Sequence, residues 1–335
     1  MTISFHGAAR MVTGSKHLIE MADGTKLLLD CGLFQGYPKE TDTLNRQWGF
    51  KPEEIDYLIL SHAHIDHCGL IPRFVKEGFK GKIYCTPPTF DLAKILMLDA
   101  AHIQEWDVKY VNKRLRARHE PEVDPLYTTD DARNTFDYFY PVPYHEWHKI
   151  KEGIEFSFTD VGHIIGSASV HLRLTENGKE TRLTFSGDVG RYDDDILNTP
   201  EVFEQADYVL IESTYGDSLH ENTGLTTNKL MQVITDTCLT KKGKLIIPAF
   251  SVGRTQELVY LMNKLQTNNQ LPPVDVFVDS PLSVEATEVI RDHVECYNKS
   301  MQEYMKRDPE PFAFKRLHYI TEVEDSKKLN DHKEP

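Results

Sequence analysis

Residues 57–67 read Tyr57-Leu58-Ile59-Leu60-Ser61-His62-Ala63-His64-Ile65-Asp66-His67. The first four are apolar, enough for a short buried strand, and after Ser61 come six residues of which four carry metal-capable side chains. In an extended loop leaving a strand, alternate residues point the same way. His62 and His64 can therefore hold one metal while Asp66 and His67 turn toward a neighbouring site. Imidazole nitrogen beside carboxylate oxygen suits zinc, and manganese or iron accept similar ligands. A histidine-rich surface loop is the plain alternative, but the apolar run before it and Gly69 after it both argue for a built site.

A two-metal site needs ligands from elsewhere. Two candidates stand at expected strand ends: His163 in Val161-Gly162-His163-Ile164-Ile165-Gly166-Ser167, and Asp188 in Phe185-Ser186-Gly187-Asp188-Val189-Gly190. Read alone, each has a plainer meaning. A lone histidine among apolar residues commonly packs in a core, and an aspartate in a Gly-Asp turn commonly caps it. Cys68 follows His67 and is expected to point away as a small buried residue.

Around this centre the chain has a legible rhythm. Ile3–Phe5, His17–Glu20 and Lys26–Asp30 read as short strands, the last two joined by a turn at Asp23-Gly24. A short helix is expected from near Gly69, with Ile71, Phe74 and Val75 on its apolar face. A long helical pattern follows over residues 88–118, with Leu92, Ile95, Leu96 and Asp99 at helical spacing, and a basic patch runs from Lys109 to Arg118. Strands return at Ile154–Phe158, Ala168–Leu174 and Arg182–Phe185, the last pair linked through Asn177-Gly178. Beyond residue 206, Tyr208–Ile211, Lys244–Ile247 and Val274–Val278 read as buried strands, each followed by a helix-length segment, the alternation of parallel α/β layers. A domain boundary is expected at 205/206, giving domains over 1–205 and 206–335.

Composition excludes several classes. A net charge of −14 argues against a protein that coats nucleic acid over its whole surface, although cations bound in a groove would add positive charge that this count omits. Five scattered cysteines, odd in number and never spaced CxxC, point to a reducing compartment, and the cytoplasm is expected. No stretch approaches the roughly 18 apolar residues of a membrane span, and no leader or membrane association is expected. Oligomeric state is left open, a homo-oligomer included.

The order HxHxDH, then His163, then Ser-Gly-Asp188 resembles the metallo-β-lactamase fold, a four-layer αββα hydrolase. Asp30, ending Leu27-Leu28-Leu29-Asp30, matches that family's early aspartate, which supports the histidine loop without binding metal. The resemblance implies that His62, His64 and His163 hold a first zinc ion and that Asp66, His67 and Asp188 serve a second, with Asp188 bridging both. The segments Ile211-Glu212-Ser213-Thr214-Tyr215-Gly216, residues 247–258 (IPAFSVGRTQEL) and residues 278–287 (VDSPLSVEAT) narrow the likeness to the β-CASP branch, which processes nucleic acids. So does GHIIGSAS at 162–169, and the chain resembles the RNA-cleaving members, such as the endonuclease subunit of messenger-RNA 3′-end processing.

By this resemblance the substrate is RNA, single-stranded by preference, with DNA not excluded. Two metals would generate hydroxide from a water between them, and Asp66 would orient it and accept its proton. Glu212 would partner the group that protonates the leaving oxygen, while Arg254 and Ser280 would contact substrate phosphates. Plainer readings stand beside these: Glu212 as a strand-end cap, Arg254 as a solvated cation, Asp279-Ser280-Pro281 as a helix cap, and Asp193-Asp194-Asp195 as a solvated loop. In one respect the sequence departs from the family. Its members continue into strands carrying a histidine for leaving-group protonation and a later histidine ligand, and neither motif is found up to Leu329–Pro335. A C-terminally incomplete β-CASP domain that binds metal and cleaves RNA poorly or not at all is therefore expected. The rival readings are a thioester or lactam hydrolase with the same ligands, and a non-catalytic subunit of an RNA-processing complex.

Overall fold

Leu27, Leu28 and Leu29 are all fully buried, so their strand has protein on both faces, which a run of branched apolar residues without alternation anticipates. The computed structural model describes residues 1–219 and 226–332. It divides into two compact units, Met1–Tyr192 with Thr199–Glu212, and Asp193–Asn198 with Ser213–Pro335.

The first unit contains a six-stranded sheet in the order β1 (Thr2–Phe5), β2 (His17–Glu20), β3 (Lys26–Leu29), β4 (Tyr57–Ile59), β5 (Lys82–Cys85) and β6 (Phe139–Pro141). β1 to β3 pair antiparallel and β3 to β6 parallel, with Leu28 beside Leu58 and Leu58 beside Ile83. The second sheet holds β7 (His148–Lys151), β8 (Ile154–Asp160), β9 (Ala168–Glu176), β10 (Lys179–Phe185) and β11 (Tyr208–Leu210). The tight β9–β10 turn takes Asn177 and Gly178 to positive φ, as a two-residue hairpin requires. One apolar core joins the sheets: Ile19, Leu27, Leu29 and Ile59 meet Phe156, Phe158, Val170, Leu172, Leu183 and Phe185. The opposite face of the first sheet carries Leu28, Leu58 and Ile83, whose complete burial requires a covering layer. The buried faces of the helices after β4 and β5 supply it.

Helix α1 (Pro38–Arg46) precedes β4, and a single turn, α2 (Ile65–Cys68), and α3 (Ile71–Lys76) follow it. α3 is the helix expected from near Gly69, with Ile71 and Phe74 buried, while α2 is a separate turn before Gly69 that was not anticipated. α4 (Pro87–Ala117) matches the long helical pattern, and α5 (Thr129–Asn134) packs beside it. β11 pairs in parallel with β10, Phe185 opposite Leu210, so the chain up to Glu212 is held by the first unit.

The second unit holds α6 (Thr226–Ile234), α7 (Arg254–Thr267), α8 (Pro281–Asp292), α9 (Lys299–Met305) and α10 (Val323–Asp331). Its strands β12 (Val276–Asp279) and β13 (Leu317–Ile320) pair in parallel, and Ile234, Met262, Leu265, Leu271 and Val274 form its own core. The strand expected at Lys244–Ile247 is not formed. Apolar character is not sufficient without a neighbouring backbone to pair with, and Ile246 and Phe250 are 85% and 84% exposed. Asp193–Asp195 caps and pairs locally: Asp194 accepts from the Ile196 and Leu197 amides, and Asp195 faces Lys264. Of the expected tail at 329–335, residues 333–335 lie outside the described residues.

Candidate metal centre

Asp30, His62, His163, Asp188 and Glu212 all follow strands, at one end of the sandwich, and α2 adds Asp66 and His67 beside them. Asp30 follows β3 and His62 follows β4, neighbouring parallel strands whose carboxyl ends coincide. β8 and β10 both run antiparallel to β9, so they end at a common edge and deliver His163 and Asp188 together. Glu212 follows β11, which is parallel to β10, and therefore arrives beside the Asp188 turn. The two sheets are joined at this end by the Ala168 amide, which donates to the Ser61 carbonyl at 2.9 Å.

His62, His64, His163 and Asp188 each offer one ligand atom, and these four atoms lie within 4.8 Å of one another. His64 Nδ1 lies 3.1 Å from both His62 Nε2 and His163 Nε2, and an Asp188 oxygen lies 3.7 Å from His62 and 3.6 Å from His163. Burial lowers the pKa of His62, His64 and His163, that of His64 to about 3, so near pH 7 the rings are neutral. The one in-plane lone pair of His64 Nδ1 cannot accept from both neighbours, so hydrogen bonding alone cannot satisfy the trio. A shared cation satisfies all three at once. Tetrahedral ligand nitrogens about 2.0–2.1 Å from an ion stand about 3.3 Å apart, close to the spacing found. The residues fit a metal.

The second oxygen of Asp188 faces His67 Nε2 at 3.3 Å, and Asp66 stands 3.8 Å from the same nitrogen. His62 and His64 leave β4 in a non-helical segment, whereas Asp66 and His67 lie on the single turn of α2. That turn is what rotates them toward a different side, since alternation alone would keep Asp66 beside His62 and His64. Burial would lower the His67 pKa, but the Asp30 and Asp188 carboxylates outweigh it and hold the ring well above the usual imidazole value. For Asp188 burial pushes up, and the hydrogen bond and charge of His67 pull the carboxyl down to about 2. Burial raises the Asp66 pKa.

Asp30 is fully buried and binds no other part of the cluster than His67, whose Nδ1 lies 2.7 Å from its carboxylate. It also accepts from the Ser61 amide and the Ser61 and Ser15 hydroxyls at 2.8–3.0 Å. Ser15 and Ser61 were not singled out in the sequence, although Ser61 directly precedes His62. Glu212 accepts from the Val189 amide at 3.0 Å, and its own amide donates to the Ser186 hydroxyl at 3.1 Å, which fastens it to the Asp188 turn. Cys68 is buried, with its sulfur toward the Ala63 carbonyl.

Arg254 and Ser280 belong to the second unit. Arg254 opens α7, about half exposed, with a guanidinium nitrogen 2.5 Å from Glu257. Ser280 caps α8 by accepting from the Ser283 amide, and Ser251 lies 3.4 Å from its hydroxyl. The cap reading of Asp279-Ser280-Pro281 is therefore realised.

A metal-binding sandwich with ligands on loops at one end defines a class, and comparison with known proteins supplies the family. Residues 14–232 match the metallo-beta-lactamase superfamily and residues 255–335 the Beta-Casp domain. The chain is 32% identical over 330 residues to a ribonuclease of Thermus thermophilus, covering 98% of this chain and 70% of the relative. It is 29% identical over 338 residues to the transcription termination factor FttA of Methanocaldococcus jannaschii, covering 99% of this chain and 50% of that protein. An endoribonuclease of Kluyveromyces lactis is 27% identical over 326 residues, covering 95% and 41%. The chain belongs to the metallo-beta-lactamase superfamily, in the branch that carries a Beta-Casp domain. It spans half or less of the latter two relatives. No helix among the described residues is long and apolar enough to cross a membrane.

Proposed function

We propose that this chain is a metal-dependent phosphodiesterase acting on RNA, single-stranded by preference. His62, His64 and His163 would hold one zinc ion, Asp66 and His67 would hold a second, and Asp188 would serve both. The observation that carries this reading is the division of Asp188, one oxygen toward the histidine trio and the other toward His67. Sequence identity to a ribonuclease over 330 residues supports RNA as the substrate class. Divalent cations bound there lower the pKa of water and offset charge on phosphoryl oxygens.

The chain's own residues do the rest. Asp66, with its pKa raised by burial, is suited to orient the attacking water and take its proton. Asp30 fixes the tautomer of His67 by accepting from Nδ1 and so directs Nε2 into the site. Glu212 steadies the turn that carries Asp188 and stands ready to orient a proton donor for the leaving oxygen. Arg254 and Ser280 contact substrate phosphates from the second unit. Five buried cysteines, none of them in a disulfide, support a cytoplasmic setting.

Purified protein is expected to carry about two metal ions per chain, falling in His64→Ala and Asp188→Ala, and to hydrolyse labelled single-stranded RNA in a chelator-sensitive way. Turnover of a model thioester with RNA left intact would replace this reading with a small-molecule hydrolase. Protein that retains no metal would replace it with a non-catalytic subunit.

A further inference from the structure

Helix α4 presents one face that the first unit does not cover. At 100° per residue, Ile103, Trp106, Lys109, Tyr110, Lys113 and Arg114 fall in a single arc of about 140°. The opposite face carries buried Ala101 and Asn112, and Asn112 is pinned by two 2.9 Å hydrogen bonds to the Val123 backbone. The orientation of the stripe is thereby fixed, and Trp106 and Tyr110 are 64% and 65% exposed. The side chains of Lys109, Lys113, Arg114 and Arg118 make no hydrogen bond or ion pair with any described residue. Arg116, beside them, pairs with Glu122. Cations near a helix C-terminus complement its dipole, but that accounts for neither the aromatic pair nor Lys109, two turns earlier.

In a chain of net charge −14, a basic stripe with exposed rings at i and i+4 selects a polyanion with stackable faces. We infer that this face of α4 is an accessory binding site for single-stranded RNA, with bases stacked on Trp106 and Tyr110 and phosphates held by Lys109, Lys113 and Arg114. The two rings are about 6 Å apart along the axis, room for one base each. The inference rests on the RNA reading proposed above and adds a second contact to it. The start of α4 is fastened to the loop carrying His163, where the Thr86 and Thr89 hydroxyls donate to the Gly166 carbonyl at 2.6 and 2.8 Å. The stripe lies about 30–40 Å further along the helix. Only RNA extending well beyond the metal centre reaches it.

The test uses the full 335-residue chain and labelled, phosphorothioate-backboned RNA. One oligonucleotide has about 5 nucleotides and the other about 25, below and above what both sites together would span. Trp106→Ala with Tyr110→Ala is expected to weaken binding of the longer RNA at least tenfold, by loss of stacking. Lys109→Gln, Lys113→Gln and Arg114→Gln together should lower the slope of log affinity against log salt by about 2. Both variants should keep the parent's metal content, melting temperature and affinity for the short RNA. Variants that bind the longer RNA as the parent does overturn the inference while leaving the RNA reading intact. A parent that binds neither RNA overturns both. Polyglutamate that binds the parent as tightly as RNA, and is lost equally in the variants, assigns the stripe to an acidic protein instead and also overturns it.

Discussion

The carboxylate of Asp30 receives the Ser61 amide, two serine hydroxyls and the ring of His67, all without reaching the cluster of ligand atoms. Its backbone has φ +58°, a left-handed conformation that aspartate tolerates better than most residues and that turns the chain sharply after β3. Replacing it with asparagine keeps the shape and removes the charge that orients His67. Asp30→Asn is expected to weaken metal binding about ten- to a hundredfold, measured by calorimetric titration of metal-free protein. Asp30→Ala should in addition cost about 3–5 kcal/mol in urea unfolding, because it removes one of the two carboxylates that balance the buried His67 and takes away the acceptor of the Ser61 amide. Unchanged metal affinity in both variants would reduce Asp30 to a packing role. The ligand-type residues were legible from spacing and family likeness, because their chemistry is rare and local. Ser15 and Ser61 were not, since a serine gains meaning only from the strand pairing that brings it to Asp30.

At the level of elements, long apolar runs and a tight turn were readable, whereas the short paired strands β5, β6, β7 and β13 were not anticipated and one anticipated strand did not form. β3 and β4 announce themselves by apolar runs, and β9 and β10 by the Asn-Gly turn between them, whereas Lys244–Ile247 has the same apolar character and no described backbone to pair with. Burial within an element has a measurable consequence at His17 on β2. Its ring lies between Phe5 and Phe185, each 5.3 Å away, and its Nδ1 has no hydrogen-bond partner among the described residues. Burial, only partly offset by Asp30, lowers its pKa to about 4. Above the unfolded value of about 6.5 the ring is neutral in both states and costs nothing. As pH falls below that value, the unfolded chain takes up a proton that the folded one refuses, and stability is lost until pH reaches the folded pKa. The loss between pH 7.5 and 5 is about 2 kcal/mol, read as the extra destabilisation of the parent over His17→Phe in urea titrations at both pH values. Equal pH dependence in the two proteins would remove His17 as its source.

For the whole molecule the decisive fact is that each unit has its own apolar core while the histidine and aspartate ligands all come from the first. The boundary could not be read from composition, because β11 joins the first unit by pairing with β10, and Asp193–Asn198 joins the second through Asn298, whose side chain donates to the Asp194 and Leu197 carbonyls. A metal that binds only folded protein stabilises the unit that supplies its ligands. At a hundredfold excess over the dissociation constant this amounts to about 2.7 kcal/mol, or about 5–10 °C for a unit of roughly 200 residues. Calorimetry is therefore expected to resolve two transitions, of which zinc raises one and chelator returns it, while the other stays fixed. His64→Ala should abolish the shift without moving the second transition. A single transition that moves as a whole with metal would mean that the two cores unfold together, and the second unit would then share the metal's stabilisation despite supplying none of those ligands.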